Sequence, residues 1–141
     1  MIHARFKPPG LILYYWALIR RFGVQHAALI GGVVIIGAAD ASVFATYGLV
    51  RHFSDGDVDA ALGAASFFAL CPSLVLIAPQ FDQVYPAMTC MLLILWSLAV
   101  KTGRLRYGIA TGAWLALVLF CSYIFLIFGL MMAVMAMLHA A

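Results

Sequence analysis

Long apolar runs, separated only by short polar stretches, restrict the fold of this chain more than any other feature. Hydrophobic residues make up 67% of the 141 residues, and charged residues only 9%. A chain of this length cannot bury so much apolar surface in one soluble core. Because a helix needs about 20 apolar residues to cross a bilayer, the runs predict an all-α, polytopic membrane protein with four to five spans.

The predicted elements form one membrane domain over residues 1–141. An apolar segment follows Pro8-Pro9-Gly10 and is closed by Arg20-Arg21. This segment is too short to span a bilayer, so it predicts an amino-terminal interfacial helix. The interfacial helix is expected at 10–22 and the spans at about 24–50, 58–78, 86–100, 107–121 and 124–140. Pro72 is expected to kink the second span, and Ser122-Tyr123 to separate the last two.

The charged residues lie in short clusters between these runs. Eight Lys and Arg against five Asp give a net charge of +3. Short basic clusters suit lipid headgroups rather than nucleic acid, so membrane lipids are the expected partners. The loop at 51–59 carries three Asp, but Ala60 and Ser66 stand where a calcium loop needs its sixth-position glycine and twelfth-position glutamate, so no metal is expected there. Asp57 or Asp59 is expected to cap the next helix instead.

Two places hold polar groups that could form a site. The segment Pro79–Pro86 is a polar turn between two spans and contains Asp82, Gln83 and Tyr85. It is either a solvated turn or part of a site. Asp40 lies inside the first span, where a carboxylate facing lipid is costly, so it is expected to be a buried acid that faces the protein or a wet cavity.

Several short motifs, in order, resemble the GT-C membrane glycosyltransferases, in the branch of protein mannosyltransferases and aminoarabinose transferases. Lys7-Pro8-Pro9-Gly10, the aromatic-rich helix and Arg20-Arg21-Phe22-Gly23 are similar to the strap and first-loop helix of that family. The family's next stretch is matched by Pro72, Ala78-Pro79, Phe81-Asp82, Lys101-Thr102-Gly103-Arg104 and Gly108-Ile109-Ala110-Thr111-Gly112. The resemblance covers nearly the whole chain.

This resemblance implies transfer of a sugar from a polyprenyl-phosphate donor to a lipid, glycan or protein acceptor, with no other cofactor. Lys7, Pro8 and Pro9 would bind the lipid phosphate, because an ammonium beside a rigid strap can be held against it. Asp82, with Gln83 and Tyr85, would orient the acceptor. The family's first-loop catalytic acid would precede Lys7. No such acid is found there, so we expect an amino-terminally truncated part of a larger enzyme, whose remainder would be a partner; the catalytic residues stay unassigned.

The resemblance and the basic loop at 101–106 also predict the location of the chain. A bacterial-type inner membrane is expected, with 101–106 in the cytoplasm and residues 1–23 and 79–86 on the extracytoplasmic side. The count of basic residues divides equally between the two sides and does not decide the orientation. Two other functions stay open: a small transporter or channel subunit that uses Asp40 and Asp82, and a non-catalytic membrane scaffold.

Overall fold

The computed structural model describes residues 8–72 and 79–140, and within these ranges the chain is helical with no β-strand. This confirms the prediction of an all-α chain. The described elements are α1 (Pro9–Phe53), α2 (Val58–Ala69), a 3-10 helix (Phe81–Val84), α3 (Tyr85–Thr102), α4 (Leu105–Cys121) and α5 (Phe125–Ala140).

Helix α1 begins at Pro9 and changes direction at Gly23. Proline suits the first helical turn because its missing N–H would have no helical partner there. Gly23 has φ 77° and ψ 163°, a backbone conformation that is open essentially only to glycine. The helical geometry is therefore interrupted at Gly23, between the regions predicted as an interfacial helix at 10–22 and a span at 24–50.

A tight turn joins α1 to α2, and one aspartate in it caps α2. The Asp57 carboxylate accepts hydrogen bonds from the backbone N–H groups of Asp59 and Ala60, at 2.9 and 3.0 Å. These N–H groups have no partner within the helix, so the carboxylate stabilises its amino end. The prediction of a capping aspartate in this loop is confirmed, with Asp57 in that role.

Helix α2 covers the first part of the predicted span at 58–78, and helical geometry is interrupted just before Pro72, where a kink was expected. It has 12 residues and ends at Ala69, and the next residue, Leu70, is its carboxyl cap. Pro72 explains the early end, because proline cannot donate a helical hydrogen bond and disfavours helical geometry in the residue before it, Cys71. A helix of this length is about 18 Å long, less than the bilayer core. Residues 73–78 lie outside the described residues.

The three helices of the carboxyl-terminal half follow the predicted boundaries to within two residues. Pro86 lies in the first turn of α3, as expected. Ser122 is extended, with φ −159° and ψ 133°, so the apolar run after Leu105 is broken into α4 and α5 at the predicted position. Two helical segments, Pro9–Phe53 and Phe81–Thr102, are long and apolar enough to cross a membrane, while α2, α4 and α5 are shorter apolar helices.

The chain divides into two compact units. One unit is Tyr15–Ile94, and its buried side chains include Ala27, Ile35, Ser42 and Leu92. In this unit, α1 contacts the segment around α3 at two places: Gly32 meets Pro79, and Thr46 meets Cys90.

The other unit combines Met1–Tyr14 with Leu95–Ala141, and Val118 and Phe125 are fully buried in it. Helix α4 packs on α5 where Leu115 lies over Gly129. The GxxxG spacing of Gly108 and Gly112 predicts a packing face, and both glycines are exposed. They line an open groove of about 440 Å³ between α3, α4 and α5. In the contact between α4 and α5, the small residue that is approached closely is Gly129.

Candidate functional site

The polar turn before α3 is closed by one of its own amides. The backbone N–H of Gln80 donates to Oε1 of Gln83 at 3.3 Å, and the N–H of Gln83 donates to the carbonyl of Gln80 at 3.0 Å. Gln83 is buried. Its side-chain oxygen therefore serves the start of the 3-10 helix, and this gives Gln83 a structural role beside the acceptor contact implied by the resemblance.

The other two predicted residues of the turn have different surroundings. Asp82 is exposed, and its carboxylate has no hydrogen-bond or ion-pair partner among the described residues. Tyr85 is half-buried, and its ring meets the Phe81 ring edge-on with centroids 6.1 Å apart. Its carbonyl also accepts a hydrogen bond from Thr89 at 2.9 Å. Asp82 is thus the group of this turn that remains free to bind an outside molecule.

Two contacts hold the turn and the start of α3 against α1. A Cβ built on the buried Gly32 would lie 3.3 Å from Cγ of Pro79, so the proline ring packs where α1 has no side chain. Further along both helices, the Thr46 hydroxyl lies 4.0 Å from Sγ of Cys90. The order of these contacts means that α3 runs beside α1 in the same direction. The polar turn consequently lies beside Gly32, in the part of α1 between Gly23 and Thr46.

Exposed cations and an aromatic ring lie just before the Gly23 break in α1. The guanidinium of Arg20 lies over the ring of Trp16, 5.1 Å from its centroid, and both side chains are exposed. Arg21 is exposed as well. Gly32 follows Gly23 by nine residues, or about 14 Å of helix. Along α1, the basic groups thus precede the Gly23 break, and the contact with the polar turn follows it by about 14 Å.

Asp40 is not the buried acid that the sequence predicts. Its side chain is exposed, whereas its neighbours Ala39 and Ser42 are buried. The Ser42 hydroxyl donates to the carbonyl of Ala38 at 3.1 Å, and the Thr46 hydroxyl donates to that of Ser42 at 2.8 Å. Both hydroxyls thus bind the backbone of their own helix. Asp40 faces outward because it lies on the side of α1 opposite the buried residues.

The predicted lipid-phosphate site is only partly covered by the structure. Lys7 lies outside the described residues. Pro8 is half-buried and Pro9 is exposed at the start of α1. These residues belong to a different compact unit from Asp82. The expectation that Lys7 and Asp82 share one site stays a prediction.

Thiols and carboxylates give no sign of a metal centre in the described ranges. No three His, Cys, Asp or Glu side chains come close enough together there to hold an ion. Cys71, Cys90 and Cys121 are thiols that form no disulfide with one another; Cys90 is buried and the other two are half-buried.

The sequence did not predict that the polar turn packs on Gly32 through Pro79. Gly31-Gly32 in the first predicted span offers a small surface for helix packing, but a glycine does not indicate which residue will cover it. The position of Pro79 at the start of a polar turn was the available signal for the other half of the contact.

No protein-family model, no curated protein and no solved structure matches this chain.

Proposed function

We propose that this chain is an integral membrane protein with four to five spans, and that it forms part of a GT-C-type glycosyltransferase using a polyprenyl-phosphate sugar. The observation that carries the membrane proposal is the pairing of exposed arginines with aromatic rings near helix ends. Arg20 lies over Trp16, Arg51 over Tyr47 and Arg106 over Tyr107, at 5.1, 5.9 and 4.7 Å from the ring centroids. Aromatic rings and basic side chains together are typical of membrane interfaces.

The length of α1 between two of these pairs agrees with the proposal. Gly23 follows the first pair, and Arg51 belongs to the second. The 28 residues between them correspond to about 42 Å of helix, close to the thickness of a bilayer with its headgroup regions. Between these points the outer surface carries large exposed apolar side chains, such as Leu29 at 70% and Phe44 at 77% exposure.

The orientation of the site is part of the proposal. The arginines precede the Gly23 break and the polar turn packs on α1 about 14 Å after it, and we place both on one side of the membrane. The basic loop after α3 then lies on the other side, since α3 would cross the bilayer once. We place the turn on the extracytoplasmic side of a bacterial-type inner membrane, where polyprenyl-linked sugars would be used.

The glycosyltransferase proposal depends on the ordered motifs described above. Two features on which it relies are present in the structure: a helix that begins at Pro9 and breaks at Gly23 after two arginines, and an exposed carboxylate, Asp82, in a turn bounded by prolines. In the proposed enzyme Lys7 binds the donor phosphate and Asp82 orients the acceptor. No observation favours a transporter. Asp40 lies on the exposed side of α1 and lines no polar pathway among the described residues.

Photocrosslinking to a polyprenyl phosphate that carries a benzophenone tests the lipid-phosphate site in membranes containing the chain. A charge-assisted hydrogen bond contributes about 1.5–3 kcal/mol, so Lys7→Ala is expected to weaken labelling about tenfold or more. Lys101→Ala is the matched control, because this lysine lies at the far end of α3. Labelling of the control should equal that of the wild type.

A competing polyprenol without phosphate separates phosphate recognition from chain binding. It should compete poorly if the phosphate is recognised. Equal labelling of wild type and Lys7→Ala, or equal competition by the alcohol and the phosphate, would refute the assignment of Lys7. It would leave the membrane proposal intact.

A further inference from the structure

One face of α1 is apolar and exposed except for a single carboxylate. Leu29, Val33, Ile36 and Phe44 are 70%, 63%, 42% and 77% exposed, and Asp40 lies among them. The spacing of three or four residues places these side chains on one side of the helix. We call them the Asp40 face.

The opposite side of the same helix contains its buried residues. Ala27, Ile35, Ala39 and Ser42 are all at most 5% exposed. Packing within the unit therefore uses that side and leaves the Asp40 face uncovered. Asp40 itself makes no hydrogen bond or ion pair with any residue of the described ranges.

The position of Asp40 along α1 makes this exposure unusual. It lies 11 residues before Arg51 and 17 residues after Gly23, which correspond to about 16 Å and 26 Å of helix. If α1 spans the bilayer as proposed above, the carboxylate is at membrane depth and faces outward. Ionisable side chains at this depth pair with one another or face protein, because lipid cannot solvate them.

We propose that the Asp40 face binds a membrane-spanning helix of a partner protein, and that this helix carries one Lys or Arg opposite Asp40. The inference rests on the proposed membrane insertion. The apolar side chains on either side of Asp40 supply the packing surface, and the ion pair selects the partner and its register. A buried polar contact of this kind discriminates against helices without the matching group.

A second copy of this chain does not meet the requirement. The described Lys and Arg residues lie near helix ends or in loops: Arg20, Arg21, Arg51, Lys101, Arg104 and Arg106. In a parallel two-fold pair of α1 helices, Asp40 would face Asp40, and two like charges would meet in lipid. Charge complementarity therefore favours a different, basic helix.

The test measures association between the full chain and synthetic helices in phosphatidylcholine vesicles. One synthetic helix is a Leu-Ala span with a single central Lys, and the matched helix has Leu at that position. Fluorescence energy transfer between labels on the two partners reports binding. Polar contacts between membrane helices have modest strength, so we expect the Lys helix to bind the wild type about tenfold more tightly than the Leu helix.

Substitutions at Asp40 separate the charge from the apolar surface. Asp40→Leu should abolish the preference for the Lys helix and leave binding of the Leu helix unchanged or stronger. Asp40→Lys should reverse the preference, so that a helix with a central Asp binds best. Asp59→Asn is the control, because Asp59 is an exposed carboxylate in the first turn of α2. It should keep the wild-type preference.

Each other outcome counts against the proposal. Equal binding of the Lys and Leu helices to the wild type would overturn it, and so would a preference that survives Asp40→Leu. Self-association of the chain that disappears in Asp40→Leu would make the face homomeric and would also overturn it. Alkaline carbonate extraction of the same vesicles tests insertion separately: if the chain is extracted, the membrane proposal fails, and if it resists extraction, a negative binding result refutes only the partner helix.

Discussion

Gly10 lies where the start of α1 meets the end of α4, and replacing it with alanine is the sharpest test of packing in this chain. A Cβ at this position would lie 2.7 Å from the carbonyl oxygen of Phe120 and 2.9 Å from Cα of Cys121. Both are backbone atoms, and carbon contacts are most favourable at about 3.5–4.0 Å. The backbone of α1 or α4 must therefore move to admit the methyl group.

The expected change in the free energy of unfolding of Gly10→Ala is the difference of two effects. Overpacking of this kind costs about 1–3 kcal/mol. Alanine is favoured over glycine in a helix by about 0.5–1 kcal/mol, and this offsets part of the cost. We therefore expect Gly10→Ala to lower the free energy of unfolding by about 1–2 kcal/mol. Titration of SDS into detergent micelles, followed by tryptophan fluorescence, measures this free energy.

Gly37→Ala is the matched control for this experiment. Gly37 lies inside α1, and a Cβ built on it has no neighbour within 4 Å. Only the helix propensity changes there, so the control should be as stable as the wild type or up to about 1 kcal/mol more stable. If Gly10→Ala were as stable as Gly37→Ala, the close approach of α1 and α4 would be refuted.

Two further substitutions test local structure. Asp57→Ala removes both hydrogen bonds at the start of α2 and should cost about 1 kcal/mol in the same titration, whereas Asp57→Asn, which can still cap, should cost much less; equal losses would contradict the capping role. Gly23→Ala should cost about 1–3 kcal/mol although space around it is open, because its φ of 77° strains any other residue. Gly48→Ala, at an open helical position, should show no such loss, and a Gly23→Ala chain as stable as the Gly48→Ala chain would mean that α1 does not need this break.

The features predicted correctly from the sequence depend on the local chemistry of single residues. Asp57 caps α2 because its carboxylate supplies hydrogen bonds that the first helical N–H groups lack, and Pro86 lies in the first turn of α3 because proline fits that position. Gly23 lies between the segments predicted at 10–22 and 24–50, where glycine permits the unusual backbone geometry. The break at Ser122 was predicted in the same way, as a polar interruption of an apolar run longer than one bilayer.

The errors concern which surface meets which neighbour. Asp40 was expected to be buried because lipid disfavours a carboxylate, yet the burial of a helix face depends on elements that contact it, and α1 uses its other side.

The candidate site likewise has local features, which depend on neighbouring residues, and one long-range contact. The closure of the turn by Gln83 and the exposure of Asp82 concern a few adjacent residues. The packing of Pro79 against Gly32, in contrast, joins positions that are 47 residues apart in the sequence. A single sequence carries no signal that pairs these two residues, although both were recognised separately as structurally special.

Labelling of introduced cysteines on either side of α3 tests most directly the claim that this chain crosses a membrane with its polar turn outside. In a variant whose native cysteines are replaced by alanine, Gln80→Cys and Thr102→Cys place exposed thiols at the two ends of the Phe81–Thr102 segment. A membrane-impermeant maleimide applied to right-side-out vesicles should label position 80 at once and position 102 only after permeabilisation. Labelling of position 102 alone would invert the proposed orientation, and equal labelling of both positions in intact vesicles would contradict the membrane crossing itself.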